Sequence, residues 1–158
     1  MSQSITLRVN GQSHTAQLDP EMPLLYFLRN ALELNGPKYG CGVQQCGACM
    51  VLLDGAAQPS CVLTVRQAAE REIETLESLG TPDRLHPLQR AFVEVQAAQC
   101  GYCLNGAILC AKALLDENPS PTRAEISAAL ERVLCRCGTH SRIVRAVARA
   151  AETTPTTE

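Results

Sequence analysis

The chain has 158 residues, of which 46% are hydrophobic and only 3% are aromatic, and its formal net charge is −2. This length suits one ordinary domain or two small ones, and the charge shows no basic excess of the kind that binds nucleic acid. The sequence shows no signal-peptide pattern and no apolar run of the roughly 20 residues that a membrane helix needs, so we expect a chain kept in a reducing compartment. Nine cysteines in such a compartment favour metal binding over disulfides.

The first half of the chain predicts short strands and one short helix. Two segments of alternating polarity flank Asn10-Gly11, which is a strong hairpin signal. An apolar stretch predicts a helix over residues 23–30. A loop rich in glycine and cysteine follows at residues 36–49, and further strands are predicted at residues 50–53 and near residues 71–75.

From residue 86 onward the apolar residues recur at helical spacing. Four helices are predicted: one from His86, one over residues 105–117, one from a capping box of Thr122 and Glu125 through Val133, and one after Gly138-Thr139. The tail at residues 153–158 is predicted to be disordered. The sequence therefore predicts an α+β protein with a mixed β domain at residues 1–78 and a helical domain at residues 79–158.

The first cysteine set lies in the predicted β domain. Cys41, Cys46 and Cys49 follow the spacing C-x4-C-x2-C, and Cys61 comes later. This is the plant-type [2Fe–2S] ligand run. Glycines in the loop let the backbone turn sharply and let amide N–H groups point at the sulfurs, which offsets the negative charge of a cluster. The alternative is a tetrahedral zinc site, although such sites usually use two short C-x2-C pairs.

The second cysteine set lies in the predicted helical domain. Cys100 and Cys103 form a C-x2-C pair, and Cys135 and Cys137 form a C-x-C pair. Each pair lies where a predicted helix begins or ends, so the two pairs can hold a cofactor between helices. In isolation this set also fits zinc, and its position beside a plant-type set favours a second iron–sulfur cluster. Cys110 has no partner at ligand spacing and is interpreted as a buried, small apolar residue.

Three motifs resemble the xanthine dehydrogenase/aldehyde oxidase family of molybdenum hydroxylases, and more narrowly its small [2Fe–2S] subunits. They are GPKYGCGVQQCGAC at residues 36–49, QCGYC at residues 99–103 and CRCGTH at residues 135–140. The resemblance covers residues 4–151. The CRCGTH ending stands where many members have CRCTGY, and it is similar to the branch of nicotinate dehydrogenase and isoquinoline oxidoreductase.

The resemblance implies a ferredoxin-like β-grasp domain followed by a four-helix domain, each with one [2Fe–2S] cluster. It implies that the cluster nearer molybdenum is held by the second cysteine set (Cys100, Cys103, Cys135 and Cys137), and the more exposed cluster by the first set (Cys41, Cys46, Cys49 and Cys61). Gln99 corresponds to a glutamine that hydrogen-bonds the pterin, and Cys137 to the cluster ligand closest to that pterin.

The resemblance also implies an electron-transfer role within an oxidoreductase of several subunits. A large partner subunit would carry molybdopterin cytosine dinucleotide and perform the substrate chemistry, with a cytochrome c or a haem domain as electron acceptor. We expect an N-heteroaromatic substrate such as nicotinate, with an aldehyde as the alternative, and a location in the cytoplasm or export folded together with the large subunit. Two other classes remain: a free ferredoxin and a zinc-stapled interaction protein.

Two regions depart from the family pattern. Leu104-Asn105-Gly106-Ala107 replaces the common run Thr-Pro-Gly-Met, and Gln44 stands where a glycine is usual. The conformation of both loops is therefore left open by the resemblance, whereas the cysteines are unaffected. His140, which follows the last cysteines, is left open between a plain surface role and one that faces a partner or cofactor.

Overall fold

The structure is a computed structural model that describes residues 1–153. The strands are β1 (Gln3–Val9), β2 (Gln12–Leu18), β3 (Met50–Leu53), β4 (Ala56–Pro59) and β5 (Glu72–Glu74). The helices are α1 (Leu24–Tyr26), α2 (Val65–Ala68), α3 (Pro87–Glu94), α4 (Leu104–Glu117), α5 (Arg123–Ala129) and α6 (His140–Thr153), with a π-helix at Phe27–Ala31 and a 3-10 helix at Leu76–Ser78. The α+β class is confirmed. None of the helices within residues 1–153 is long and apolar enough to span a bilayer.

A single mixed sheet forms the N-terminal half, with the strand order β2-β1-β5-β3-β4. Strands β1 and β5 pair in parallel, and the other neighbours pair antiparallel. The predicted hairpin is confirmed, because Val9 pairs with Gln12 across the turn. Asn10 and Gly11 both have positive φ, at 51° and 76°, as a tight hairpin turn between twisted strands requires.

Strand β3 is buried on both faces and joins two hydrophobic cores. Val51 and Leu53 pack with β1, β5 and the first helix, whereas Met50 and Leu52 face the opposite side and pack with the C-terminal helices. Successive side chains of a strand point to opposite faces, so a continuous apolar run can serve two cores at once. The sheet and the helices are thus packed on one shared element.

The C-terminal half contains the four predicted helices, α3 to α6. His86 caps α3 by accepting a hydrogen bond from the Leu88 amide at its Nδ1 atom (3.2 Å). Thr122 and Glu125 form the predicted capping box at the start of α5. Helices α3 and α6 lie side by side, and an ion pair between Glu94 and Arg149 (2.6 Å) joins their exposed edges.

The prediction that α5 continues through Val133 is wrong, because the helix ends at Ala129. The chain turns there and presents its backbone to the first cysteine loop. The Leu134 amide donates to the carbonyl oxygen of Cys46 (3.0 Å), a bond that an unbroken helix would not allow. Tertiary contact therefore overrides the helical pattern of residues 130–133.

The predicted first helix is also different in its second half. Only Leu24–Tyr26 is α-helical, and the chain continues as a π-helix in which the Leu32 amide donates to the Phe27 carbonyl (3.3 Å). Apolar spacing does not distinguish a π-helix from an α-helix over one turn. Strand β4 and helix α2 were not predicted. The predicted disordered tail falls on residues 154–158, outside the described residues, except that Thr153 ends α6.

Candidate metal centres

The first cysteine set lies on an irregular loop between the π-helix and β3, and its fourth member follows β4. Two of the loop glycines, Gly42 and Gly47, have positive φ of 70° and 72°. Gly40 is required for a different reason, since a Cβ there would lie 2.5 Å from the sulfur of Cys46. Gln44 adopts a positive φ of 54° in the same loop, so it takes up the left-handed conformation that favours glycine.

Backbone amides point at the sulfurs of this loop, as predicted. The amides of Val43 and Gln45 donate to Cys41 Sγ at 3.4 and 3.2 Å, and the Cys41 amide donates to Cys46 Sγ at 3.3 Å. Burial raises the pKa of the Cys41 thiol, but these hydrogen bonds outweigh it and lower that pKa to about 7. The loop therefore stabilises a thiolate, which is the form that binds metal.

The four thiols of the first set meet in pairs. Cys41 lies beside Cys46, as those hydrogen bonds show. Cys49 lies beside Cys61, and burial together with that neighbouring thiol raises the pKa of Cys49 to about 12. Thiols at such close distance cannot all keep their protons when a cation is bound, and proton release on metal binding is the rule for thiolate sites.

The second set meets in the same two-by-two way. Cys100 and Cys137 interact, and the Tyr102 amide followed by the Cys137 thiol lowers the pKa of Cys100. Cys103 interacts with Cys135, and burial followed by this contact raises the pKa of Cys103 to about 12. For Cys135, burial raises the pKa but the Thr139 hydroxyl and amide outweigh it, so that its pKa falls to about 7.

Pairs of thiols suit a dinuclear cluster. In a [2Fe–2S] core each iron takes two protein ligands, so four cysteines are needed as two pairs. A mononuclear zinc site needs its ligands around one point. Among residues 1–153 no three side chains of Cys, His, Asp or Glu converge closely enough for one ion. The donor chemistry and the pairing of both sets thus fit [2Fe–2S] clusters.

A cavity of about 320 Å³ connects the two sets. Its walls include Cys41 and Cys46 from the first set and Cys100, Cys103 and Cys135 from the second. Leu134, whose amide bonds to the first loop, lies on the same wall together with the positively charged Arg136. The fold therefore brings the two sets, which are far apart in sequence, to one place.

Helix α4 fixes how closely the two sets approach. A Cβ at Gly106 would lie 2.2 Å from the carbonyl oxygen of Gly47, and a Cβ at Gly47 would lie 2.6 Å from that of Arg132. Next to Gly106, the buried side chain of Asn105 donates to the carbonyl oxygens of Ala48 (3.1 Å) and Met50 (2.8 Å). In the sequence this stretch stands out only as a departure from the family pattern. Nothing local in the sequence indicates contacts that span more than fifty residues.

The remaining predicted positions are placed as follows. Gln99 is exposed on the loop between α3 and α4, directly before the exposed Cys100. Cys110 is buried in the helical core, as predicted, and burial raises the pKa of its thiol to about 11. His140 is exposed overall, yet its Nε2 atom accepts a hydrogen bond from the Cys135 amide (3.2 Å).

Two family models match the chain, one for each half. Residues 7–78 match a 2Fe-2S iron-sulfur cluster binding domain, and residues 75–148 match a [2Fe-2S] binding domain. The chain is 56% identical to an iron–sulfur-type relative, the A component of nicotinate dehydrogenase from Pseudomonas putida, over 153 residues, which cover 97% of this chain and 98% of the relative. It is 43% identical to the alpha component of isoquinoline 1-oxidoreductase from Brevundimonas diminuta, covering 91% and 95% of the two chains.

A solved structure agrees with these relatives. Quinoline 2-oxidoreductase from Pseudomonas putida 86 superposes with a TM-score of 0.90 at 36% identity, covering 96% of this chain and 94% of the matched chain. The chain belongs to the small iron–sulfur subunits of the molybdenum hydroxylases. As a member of this family it has two [2Fe–2S] binding domains, a ferredoxin-like β-grasp unit followed by a four-helix unit.

Proposed function

We propose that this subunit relays electrons from the molybdenum site of a large partner subunit, through two [2Fe–2S] clusters, to an external acceptor. Cys41, Cys46, Cys49 and Cys61 hold the outer cluster, and Cys100, Cys103, Cys135 and Cys137 hold the cluster nearer molybdenum. The observation that carries this proposal is the meeting of two paired cysteine sets at one cavity. A free ferredoxin has no need of the second set.

When bound, the two clusters supply one-electron steps between the two-electron chemistry of the partner and the acceptor. The chain itself holds the sites at a fixed separation. Gly47 and Gly106 allow backbone-to-backbone contact, and Asn105 joins α4 to the loop that carries Cys49. Because electron transfer weakens steeply with distance, this tight packing serves the relay directly.

The exposed loop at Gln99 and Cys100 is proposed to face the pterin of the partner. The Gln99 side chain hydrogen-bonds the pterin, and Cys137, which lies beside Cys100, is the ligand closest to it. The molybdopterin cytosine dinucleotide is held by the large subunit. A polar side chain exposed next to an exposed cluster ligand is well placed to bridge two cofactors across an interface between subunits.

The substrate of the complex is proposed to be an N-heteroaromatic compound such as nicotinate, hydroxylated on a ring carbon. Support comes from the 56% identity to a nicotinate dehydrogenase component, which exceeds the 43% identity to the isoquinoline 1-oxidoreductase component. The acceptor is proposed to be a cytochrome c or a haem domain. The complex works in the cytoplasm or is exported folded, because cluster assembly needs reduced cysteines.

The test is to purify the complex through a tag on the large subunit. Nicotinate, isoquinoline and simple aldehydes are assayed separately, with cytochrome c and with ferricyanide as acceptors. The proposal expects hydroxylation of nicotinate and reduction of cytochrome c. Turnover of aldehydes alone contradicts the proposed substrate, and a third, flavin-binding subunit in the complex contradicts the proposed acceptor.

A further inference from the structure

The side chain of Thr139 contacts a sulfur of the second cysteine set. Its hydroxyl oxygen lies 3.1 Å from Cys135 Sγ, which is within hydrogen-bond distance for an oxygen and a sulfur. Both residues are buried, with Thr139 only 1% exposed and Cys135 7% exposed. Water therefore does not compete for the hydroxyl group or for this side of the sulfur.

The surrounding structure holds both partners of this contact in place. Thr139 immediately precedes α6, and its carbonyl oxygen accepts hydrogen bonds from the amides of Arg142 and Ile143, both at 3.0 Å. The amide of Cys135 is held separately by His140 Nε2 at 3.2 Å. The start of α6 thus fixes the sulfur and the backbone of one cysteine at once.

The direction of the hydrogen bond follows from the chemistry of the sulfur. A cluster-bound cysteine is a thiolate, and a thiolate has no proton to donate. The Thr139 hydroxyl must then be the donor and Cys135 Sγ the acceptor. Reduction adds one negative charge that is shared with the ligand sulfurs, so a donor at the sulfur stabilises the reduced cluster more than the oxidised cluster.

We propose that Thr139 is a positioning residue that raises the reduction potential of the second cluster through its hydrogen bond to Cys135. This inference rests on the proposed ligand role of Cys135. In the first set the donors to Cys41 are backbone amides, which substitution cannot remove. Thr139 is therefore a side-chain control that acts on one cluster only. A higher potential at this position makes the second cluster a better acceptor of electrons from the partner.

The experiment is a potentiometric titration of the intact complex, followed by EPR. T139V removes the hydroxyl and keeps the branched shape, T139A removes it with a smaller side chain, and T139S restores it. S141A, at an exposed residue of the same helix, is the matched control. C135S identifies the signal that belongs to the second cluster, because it changes the ligand atom.

In T139V and T139A, the ratio of reduced to oxidised second cluster at a fixed potential is expected to fall roughly threefold to tenfold, tenfold corresponding to about 59 mV for one electron. T139S and S141A are expected to match the native protein, and the first cluster is expected to be unchanged in all variants. If T139V does not assemble, the same comparison is made with T139A.

Three outcomes overturn the inference. They are an unshifted potential in the hydroxyl-free variants, an equal shift of both clusters, and a shift in S141A as large as that in T139V. If C135S alters neither EPR signal, the ligand assignment in the proposed function is wrong. If C135S alters one signal and T139V does not shift it, the ligand assignment stands and only the role of Thr139 fails.

Discussion

At the scale of single residues, the exposed Gln99 has a matched counterpart elsewhere in the chain. Gln99 precedes Cys100 and Gly101, and the equally exposed Gln45 precedes Cys46 and Gly47. The two glutamines therefore have the same local sequence but lie beside different cysteine sets. Only Gln99 is proposed to reach the pterin, so the pair separates a specific contact from a general effect of an exposed glutamine near a cluster.

We predict that Q99A slows the reduction of both clusters by substrate roughly tenfold, because one hydrogen bond across the cofactor interface is lost. Q45A is expected to leave that rate unchanged. The measurement is stopped-flow absorbance of the intact complex after mixing with substrate, and static spectra check that both clusters remain. Equal rates in Q99A and the native complex would contradict the role given to Gln99.

The ninth cysteine leads to a second prediction. Cys110 is buried in α4 among apolar side chains and has no partner in either set. C110A is expected to keep both EPR signals at native intensity and to lower the free energy of unfolding by about 1 kcal/mol, as for other small losses of buried volume. C103A serves as the comparison and is expected to lose one signal. A missing signal in C110A would show that a ligand has been misassigned.

At the scale of elements, the contact of α4 with the first cysteine loop is the tightest feature of the molecule. The side chain of residue 106 has no room, because its Cβ would come within 2.2 Å of the Gly47 carbonyl oxygen. That oxygen belongs to the backbone of a loop held on its other side by Arg132. Neither partner can move without moving a cysteine set.

We predict that G106A disrupts this contact and lowers the yield of complex with both clusters severalfold. The expected loss of stability is about 2–3 kcal/mol, typical of overpacking in a dense core. G11A is the control, because nothing lies within 4 Å of a Cβ there and only the positive φ opposes the change. The measurement is the iron content and the thermal midpoint of the purified complexes. Native iron content and midpoint in G106A would refute the proposed close contact.

Asn105 stabilises the same contact through hydrogen bonds. Its Nδ2 atom satisfies two buried carbonyl groups, while its Oδ1 atom is buried without a hydrogen-bond partner in the described part of the chain. N105A is expected to lower the free energy of unfolding by about 2 kcal/mol, because two buried acceptors lose their donor. N118A, at the exposed end of α4, is the control. The spin–spin splitting between the reduced clusters, measured by EPR, is expected to change in N105A because the separation of the two sites is no longer fixed. An unchanged splitting and stability would contradict this role.

At the scale of the whole molecule, the sequence predicts those features that depend on local patterns. The hairpin at Asn10-Gly11, the capping box at Thr122 and the burial of Cys110 follow from short stretches of chain, and the structure confirms each. The four helices and the α+β class follow from periodicity. The assignment of eight cysteines as ligands and the boundary at residues 78–79 stay predictions.

Features that depend on contacts distant in sequence were not predicted. The early end of α5 arises because residue 134 pairs with residue 46, and the shared role of β3 arises because two cores meet on it. The π-helix after α1 leaves no trace in apolar spacing. Thr139 and His140 were not singled out as partners of Cys135, since the turn that brings them back onto it is set by the packing of α6.

The most direct test of the account is the metal content of the purified complex. With two paired cysteine sets, we predict four iron atoms and four acid-labile sulfides per copy of this chain, after correction for metals held by the partner, together with the visible absorption of [2Fe–2S] clusters. Stoichiometric zinc with little iron and no visible absorption would contradict the assignment of both sites as iron–sulfur clusters.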